Sequence, residues 1–380
     1  MTAPSSISLP AKPRILVRGT NWLGDAVMTI PALMRLREKF PDAHIALLTP
    51  EKLRDLWPAA PGAGRLHPAI DELLCPRPQE TVFGIAGRLR RGNFDAALAL
   101  PNSPRSALEP FLARVPQRIG YARPWRNFFL THPLPSRRGA VQMRKRPVAE
   151  IKRLMSSANG LESQNHPLSH QANDYLHLAA AFGANPAPLP PQLFVAEEEL
   201  AAARTQFALD AVQAPVFGLN PGAEYGPAKR WPLENFIAAA RLIQSQTHCR
   251  WILFGGNNDV ALANVIESAL GACAALNLAG RTTLRELMAL LKLCRLLLTN
   301  DTGPMHVAAA LSVPVIAIYG STSPELTGPL SSGAAQKILN AGVPCSPCFL
   351  RECPIDFRCM TRIGVESVVQ AVLECANVAH

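Results

Sequence analysis

The stretch that decides the fold is residues 300–311, which read NDTGPMHVAAAL and follow the largely apolar run at 295–299. The apolar run predicts a buried strand, and the alanine-rich half of the stretch predicts a helix after a tight turn. Pro304 suits the first helical position, because its missing N–H removes an amide that would have no partner there. His306 then falls in the first turn of the helix.

The turn between this strand and this helix carries polar side chains that suit two interpretations. Asn300, Asp301 and Thr302 are residue types that cap the free amides of a helix start. The same edge also presents backbone N–H groups and the positive end of the helix dipole to an anion, commonly a phosphate. A capped helix with a packed histidine and an anion site fit these residues about equally well.

Strand and helix signals alternate along both halves of the chain. The predicted strands cover residues 14–18, 44–49, 94–100, 118–121 (a short edge strand), 216–220, 251–254, 296–299 and 315–319. The predicted helices cover residues 26–40, 53–57, 106–114, 172–182, 233–246, 261–270, 284–292, 305–311 and 365–376. This alternation predicts α/β domains, each a parallel sheet covered by helices. A capping box is expected at the start of the helix 284–292, with Thr283 or Thr282 as the cap and Glu286 completing it.

The length of 380 residues predicts two domains. The proline-rich stretch NPAPLPP at 185–191 is typical of a stiff linker. We therefore predict an N-terminal domain at 1–184, a linker at 185–196 and a C-terminal domain at 197–380. Residues 122–170 are rich in Arg, Lys, Pro and Ser, which predicts loops. A ligand is expected at the carboxyl ends of the strands, in the cleft between the domains.

Positive charge is confined to the first half of the chain. Residues 1–190 hold 25 Lys+Arg and 13 Asp+Glu, a net +12, whereas residues 191–380 hold 13 and 15, a net −2. The excess indicates an anionic partner, either nucleic acid, a membrane surface or an acidic substrate. Nucleic acid is disfavoured, because an aromatic content of 6% offers few stacking platforms.

The sequence also bears on where the chain resides. No apolar run is long enough to span a bilayer, and residues 1–12 lack the apolar core of a signal peptide. We therefore expect a cytoplasmic protein with reduced cysteines.

Four of the nine cysteines are clustered, with the spacing Cys345-x2-Cys348-x4-Cys353-x5-Cys359. Four thiolates at close spacing are suited to a structural metal, yet the spacing matches neither a zinc ribbon nor a ferredoxin pattern. A structural metal and a loop of packed thiols without metal remain equal alternatives. A catalytic metal is not expected, because no histidine or carboxylate pattern accompanies the thiols.

Three glycine-bearing loops follow predicted strands. Residues 18–25 (RGTNWLGD) lack the G-x-G-x-x-G spacing of a dinucleotide site, and Asp25 there is either a helix N-cap or a general base. In the loop 220–232 (NPGAEYGPAKRWP), the Lys229–Arg230 pair before a helix suits a diphosphate. Asp259, after a third loop, is placed to accept from ribose hydroxyls or to cap its own helix.

Four separated blocks, taken together and in order, resemble the ADP-heptose:lipopolysaccharide heptosyltransferases of glycosyltransferase family nine. They are residues 19–31, 220–232, 300–311 and 319–324. The block LPNSPRSAL at 100–108 is similar to the family member that acts second in the pathway. The resemblance implies a GT-B architecture, with two Rossmann-like, doubly wound parallel-sheet domains facing across a cleft. The N-terminal domain would bind the acceptor and the C-terminal domain the ADP-sugar.

The resemblance further implies an inverting enzyme that moves L-glycero-D-manno-heptose from ADP-heptose to the first heptose of the lipopolysaccharide inner core. Transfer by the first or third heptosyltransferase, or from another nucleotide sugar, is the alternative. The acceptor would be an anionic lipid A bearing Kdo and heptose, which fits the basic half. The enzyme would be a monomer at the cytoplasmic face of the inner membrane, in peripheral contact with it. It would need no cofactor and no catalytic metal.

The same resemblance assigns roles to residues of this chain. Asp25 would be the base that deprotonates the acceptor hydroxyl, and Lys229 would neutralise the leaving ADP, with His306 as the third catalytic residue. The donor-binding residues would be Gly222, Lys229, Asp259, Asp301, Thr302, Gly303 and His306. The acceptor-binding residues would be Gly24, Asp25, Arg118, Arg123 and Arg126.

Overall fold

The computed structural model describes residues 7–60, 65–156 and 169–378, which form two compact units. The described residues of the N-terminal unit are those up to 140 together with 169–194, and the C-terminal unit holds 141–156 and 195–378. The last crossing of the chain between the units therefore lies within the predicted linker at 185–196. The segment 141–156 differs from a continuous N-terminal domain at 1–184, because its Ile151 packs in the core of the C-terminal unit.

The N-terminal unit is built on a six-stranded sheet. Its strands are β1 (Arg14–Arg18), β2 (His44–Leu48), β5 (Glu72–Leu74), β6 (Ala96–Ala99), β7 (Gln117–Tyr121) and β8 (His132–Leu134), beside a small antiparallel pair of β3 (Pro58–Ala60) and β4 (Arg65–Leu66). The helices are α1 (Leu23–Lys39), α2 (Val82–Arg91), α3 (Pro104–Leu112) and α5 (Ala172–Ala180). The strand order is β5-β2-β1-β6-β7-β8, and each pairing is parallel.

Two expectations for residues 117–170 are wrong. The strand β7 is not an edge strand, because β8 pairs with its outer side. The stretch 122–170 is not only loops, since it holds β8 and the helix α4 (Val148–Ser156), while residues 157–168 lie outside the described residues. The short helix predicted at 53–57 is present as a 3-10 helix, Glu51–Leu56. Strands of three residues such as β5 and β8 are too short to show a period, so pairing with a neighbour defines them.

The C-terminal unit repeats the design with a second six-stranded sheet. Its strands are β9 (Val216–Asn220), β10 (Arg250–Leu253), β11 (Ala275–Asn277), β12 (Leu296–Asn300), β13 (Val315–Tyr319) and β14 (Gln336–Asn340). Its helices, besides α4, are α6 (Glu197–Gln206), α7 (Leu233–Thr247), α8 (Val260–Leu270), α9 (Leu284–Leu293), α10 (Gly303–Ala310), α11 (Pro324–Thr327), α12 (Arg358–Thr361) and α13 (Val365–Val378). The order is β11-β10-β9-β12-β13-β14, again with parallel pairings.

Both sheets are doubly wound, and this fixes where a ligand binds. The strand order reverses between β1 and β6 in one sheet and between β9 and β12 in the other. Ligands of open α/β sheets bind outside the carboxyl ends of the strands at such a switch point. The loops that leave these strands are the ones that carry the motifs at 18–25, 100–108, 220–232 and 300–311.

The central strands are covered on both faces, as their sequences predict. In β12 all five residues are buried, and in β1 the four from Ile15 to Arg18 are buried. Strands buried on both faces are expected to be largely apolar, and the apolar runs at 15–17 and 296–298 agree with this, while a polar residue ends each strand at its carboxyl edge. The predicted capping box is confirmed, because Glu286 N–H donates to Thr283 Oγ1 (3.2 Å) and Thr283 N–H donates to Glu286 Oε2 (2.7 Å). Among the described helices, none combines the length and the apolar character needed to cross a membrane.

A buried ion pair joins β1 to α3 at the carboxyl edge of the N-terminal sheet. The side chain of Glu109, 1% exposed, accepts from Arg18 Nε at 2.8 Å and from Arg105 Nε at 2.9 Å. Burying either charge without the other is costly, because the interior cannot replace the lost water. The pair thus fixes the end of β1, from which the first glycine-bearing loop departs.

We expect Glu109→Gln to lower the free energy of unfolding of this unit by about 3–5 kcal/mol, because the Arg18 guanidinium would stay buried without a counter-charge. Urea unfolding followed by circular dichroism measures the change. Arg105→Ala is the matched control, and we expect it to cost less than about 1 kcal/mol since its side chain is 57% exposed. Equal losses from the two variants would contradict this account.

Candidate active site

One buried carboxylate organises the carboxyl edge of the C-terminal sheet. Asp301, which follows β12, is 5% exposed. Its Oδ2 accepts from Lys229 Nζ at 2.6 Å and from Thr322 Oγ1 at 2.6 Å. The Lys229 ammonium is therefore held in one place by an ion pair whose carboxylate is itself fixed by a hydroxyl. Three loops that are far apart in sequence meet at this oxygen.

Two buried asparagines hold the neighbouring loop against β12. Asn300 Nδ2 donates to the carbonyl of Pro221 at 2.8 Å, and Asn300 Oδ1 accepts from Trp231 N–H at 3.0 Å. Asn220 Nδ2 donates to Thr302 Oγ1 at 2.9 Å. These bonds satisfy polar groups that are buried, and they fix the loop 221–232 that carries Lys229.

The start of α10 differs from the prediction. The helix begins at Gly303, which puts Pro304 at the second helical position, and the Thr302 side chain at the N-cap makes no capping hydrogen bond. The expectation that Asn300, Asp301 and Thr302 cap the helix is wrong, because their side chains bond to other loops. An unused side-chain cap at the start of α10 is compatible with the anion-site alternative. His306 lies in that first turn and is 5% exposed.

A second cation on the same loop is neutralised by Asp259. Arg230 Nη2 lies 3.4 Å from Asp259 Oδ1, and Asp259 Oδ2 accepts from Gly256 N–H at 3.0 Å. The Asp259 side chain thus caps the preceding 3-10 turn, Asn257–Asp259, but it makes no capping hydrogen bond at the start of α8, so the expectation that it caps its own helix is wrong. Gly222 makes room for this carboxylate, because a Cβ at Gly222 would lie 2.3 Å from the carboxyl carbon of Asp259. Lys229 and Arg230 are thus paired with different carboxylates, those of Asp301 and Asp259.

Sequence reasoning missed three residues that surround Lys229. Lys229 Nζ lies 5.2 Å from the ring centre of Tyr225, and the Arg351 guanidinium carbon lies 5.4 Å from the same ring. The third is Thr322, described above. The block 319–324 had pointed to the neighbourhood of Thr322. No sequence signal pointed to Arg351, because it arrives from the cysteine-bearing segment more than a hundred residues away.

A pocket of about 540 Å³ lies beside the Lys229 loop, within the C-terminal unit. Its walls are mostly apolar, and Arg230 and Glu352 supply charged groups. The other lining residues are Pro221, Pro227, Ala228, Trp231, Pro232, Leu233, Phe236, Leu262, Cys353 and Phe357. An apolar pocket with few polar groups is typical of small-molecule sites.

The four clustered cysteines line one small cavity of about 20 Å³. All four thiols are free. Burial raises the pKa of Cys359 to about 12 and also raises the pKa values of Cys345 and Cys348, with further contributions from the neighbouring thiols. Within the described parts of the chain, no three His, Cys, Asp or Glu side chains are placed to hold a metal ion.

In the N-terminal unit, Asp25 lies in the first turn of α1, one residue after Gly24. The helix begins at Leu23 with Trp22 at the N-cap, so the interpretation of Asp25 as the N-cap is wrong. Tyr175 of α5 is close enough to be affected, because burial and then the charge of Asp25 raise the pKa of this phenol. Gln171 Nε2 donates to Tyr175 Oη at 2.9 Å. Asp25 is half-buried beside a fixed hydroxyl group.

The three arginines expected to bind the acceptor have different surroundings. Arg118 is half-buried, and its Nε donates to the carbonyl of Phe129 at 2.7 Å. Arg126 is fully buried and donates to the carbonyl of Pro101 at 2.8 Å, while its Nε and Nη2 have no hydrogen-bond partner among the residues that the structure describes. Burial lowers the pKa of Arg126 to about 10, with a contribution from the charge of Arg123. Arg123 is half-buried and bonds to Ser136 Oγ at 3.2 Å.

Comparison with known proteins agrees with these features. The profile of glycosyltransferase family 9 (heptosyltransferase) matches residues 82–357. Lipopolysaccharide heptosyltransferase 2 of Escherichia coli K12 is 34% identical over 334 residues, covering 84% of this chain and 86% of that protein. The protein of the same name from Salmonella typhimurium is 33% identical over 339 residues, with the same coverage.

The fold agrees as well. The solved structure of E. coli ADP-heptose LPS heptosyltransferase II superposes with a TM-score of 0.74 at 30% identity, covering 96% of this chain and 99% of that one. The expectation of a GT-B fold, with two Rossmann-like, doubly wound parallel sheets, is thereby confirmed. The matched residues include four of the blocks singled out from the sequence, at 100–108, 220–232, 300–311 and 319–324. The chain is a glycosyltransferase and belongs to glycosyltransferase family 9, the heptosyltransferases.

Proposed function

We propose that this enzyme transfers L-glycero-D-manno-heptose from ADP-heptose to the first heptose of the lipopolysaccharide inner core, with inversion at the anomeric carbon. The relatives that match most of the chain are named for the second heptosyltransferase, which favours this acceptor over those of the first and third enzymes. The observation that carries the proposal is the Lys229 ammonium, held 2.6 Å from the buried carboxylate of Asp301 at the start of α10.

The donor half of the reaction requires a group that stabilises the departing ADP. A cation held in place before the reaction stabilises developing negative charge without first reorganising. Lys229 is such a cation, and the N–H groups of α10 at Gly303 would add to it. Thr302 and His306 would complete the contacts to the diphosphate and the sugar. Asp259, beside Gly222, would face the ribose from the next loop.

The acceptor half requires a base at the attacking hydroxyl. Asp25 would take the proton of the acceptor hydroxyl, whose oxygen forms the new bond to the anomeric carbon while the bond from that carbon to the diphosphate breaks. Gly24 would let the acceptor approach the backbone at the start of α1. Arg123 would contact an acidic group of the acceptor, and Arg118 and Arg126 would hold the segment on which Arg123 lies. The net +12 of residues 1–190 suits such an acceptor.

The proposed reaction proceeds without a divalent metal ion. Lys229 and the helix start would supply the positive charge that a metal ion supplies elsewhere. We further propose that the enzyme works as a monomer in peripheral contact with the cytoplasmic face of the inner membrane, where a lipid-anchored acceptor would be presented.

The function is tested by measuring ADP release from ADP-L-glycero-D-manno-heptose with Kdo₂-lipid A, with its mono-heptosylated form, and without acceptor. Release only with the mono-heptosylated acceptor supports the proposal. Release with Kdo₂-lipid A would move the assignment to the first enzyme, and release with neither would overturn the proposed substrates. Addition of EDTA should leave the rate unchanged, whereas a loss restored by a divalent ion would contradict the metal-free chemistry.

We expect Asp25→Ala to lower kcat by about 10²–10⁴-fold while ADP binding stays unchanged, because a general base contributes that much to proton transfer. Single-turnover rates and calorimetric ADP binding measure the two effects. Asp42→Ala, at an exposed position of the same unit, is the control and should keep full activity. Near wild-type transfer by the Asp25 variant would show that another group is the base.

Lys229→Ala should reduce kcat/KM for ADP-heptose by about 10²–10³-fold, since the developing charge on the diphosphate would lose its fixed counter-ion. Steady-state kinetics at saturating acceptor measure this. Lys337→Ala is the control, because Lys337 is 49% exposed and pairs with Glu374 in the same unit. Unchanged kinetics in the Lys229 variant would refute its proposed role.

A further inference from the structure

The turn between β7 and β8, residues 122–130, exposes two large aromatic side chains. Trp125 is 90% exposed and Phe128 is 80% exposed, the highest values among the large apolar side chains of the described residues. A single exposed aromatic residue is common and needs no explanation. Two of them, three residues apart on one short turn, form a local apolar surface in contact with water. We call residues 122–130 the aromatic turn.

The aromatic turn is held firmly by its own polar groups. Asn127 Oδ1 accepts from Arg123 N–H at 2.8 Å, and the carbonyl of Arg126 accepts from Phe129 N–H at 2.9 Å. The buried Arg126 side chain anchors the turn to the carbonyl of Pro101. Trp125 itself has φ 64°, a conformation that residues with a side chain adopt at a cost. Trp125 thus stays exposed, although its positive φ is an unfavourable backbone conformation and its apolar ring lies in water.

Phe128 extends an aromatic cluster from the interior to the surface. Its ring centre lies 5.8 Å from that of Phe111 and 5.7 Å from that of Phe129. The Arg118 guanidinium carbon lies 5.4 Å from the Phe111 ring centre. Packing on one side leaves the other side of the Phe128 ring free to enter an apolar phase. The rigid backing lowers the entropy lost when such a surface binds.

The chain segment that carries the aromatic turn has charged side chains of one sign. Residues 110–140 contain six arginines and no aspartate or glutamate. Arg114 and Arg138 are exposed, and Arg123 is half-buried. Among the described residues, the ion pair of Arg137 with Asp174 is the one in which an arginine of this segment takes part. A partner for this surface therefore carries negative charge and accepts aromatic side chains.

We propose that the aromatic turn docks the N-terminal unit onto an anionic bilayer surface, with Trp125 and Phe128 in the headgroup region and the exposed Arg114 and Arg138 on lipid phosphates. Aromatic side chains concentrate at that depth of a bilayer, and basic residues beside them are attracted by anionic lipids. The choice of a bilayer rests on the proposed function, whose acceptor is anchored to lipid. A single-stranded nucleic acid, which also takes aromatic and basic groups, is an outcome of the test.

The first test is cosedimentation of the full-length protein with vesicles of phosphatidylcholine alone or with about one third phosphatidylglycerol. We expect binding to the anionic vesicles that weakens with salt, and a fall of about tenfold or more in the partition coefficient for Trp125→Ser/Phe128→Ser. Phe83→Ser is the matched control, because Phe83 is 72% exposed in the same unit but on α2. It should bind like the wild type.

A second measurement does not depend on removing both rings. Brominated lipids should quench part of the wild-type tryptophan fluorescence, and Trp125→Phe should abolish that part while keeping most vesicle binding. Three results would each overturn the proposal. The first is that the wild type does not bind vesicles, and the second is that the Phe83 variant loses as much vesicle binding as the double variant. The third is that the double variant loses binding only to a single-stranded oligonucleotide.

Activity separates this proposal from the proposed function. The double variant should transfer heptose to a delipidated acceptor at the wild-type rate and to a vesicle-embedded acceptor more slowly, by about the same factor as its loss of binding. Vesicle binding by a wild type that releases no ADP would leave the docking surface standing and overturn the proposed substrates. Normal transfer to embedded acceptor by the double variant would remove the docking surface alone.

Discussion

The C-terminal unit depends on one buried carboxylate, Asp301. An unpaired charge in that position would be strongly unfavourable, and its two partners, Lys229 and Thr322, come from different loops. The ion pair therefore joins three loop segments at the carboxyl edge of the sheet into one arrangement. Asn300, the preceding residue, adds bonds to the same loop that carries Lys229. A positive charge is thus fixed at the start of α10 before any ligand arrives.

The N-terminal unit differs from the C-terminal unit in how its positive charges are paired, and this bears on the excess of basic residues in the first half of the chain. Glu109 neutralises Arg18 at the end of β1. Within the described residues, Arg123 and Arg126 of the aromatic turn take part in no ion pair. A buried guanidinium without a carboxylate is unfavourable, and burial lowers the pKa of Arg126 to about 10. One unit therefore pairs the cations of its site, whereas the other leaves cations unmatched for an anionic partner.

Much of the fold was predictable because its central strands are apolar and are separated by helices with clear periods. The central strands and most helices lie within a few residues of their predicted positions. The short strands β5 and β8 were missed because they gain their hydrogen bonds from neighbours that are distant in sequence. The helix capping predicted for residues 300–302 is absent for a related reason. The side chains of these residues form hydrogen bonds and an ion pair with distant parts of the chain instead.

The sequence by itself determined two parallel-sheet domains, the loops that carry the site, and the family. These follow from local periods and contiguous motifs, which are properties of neighbouring residues. Only the tertiary structure decided that Asp301 holds Lys229, that the Tyr225 ring lies near both Lys229 and Arg351, and that Arg126 is interior while Trp125 is exposed. Such pairings depend on which loops the sheet order brings to one edge, and long-range contacts leave no period in the sequence.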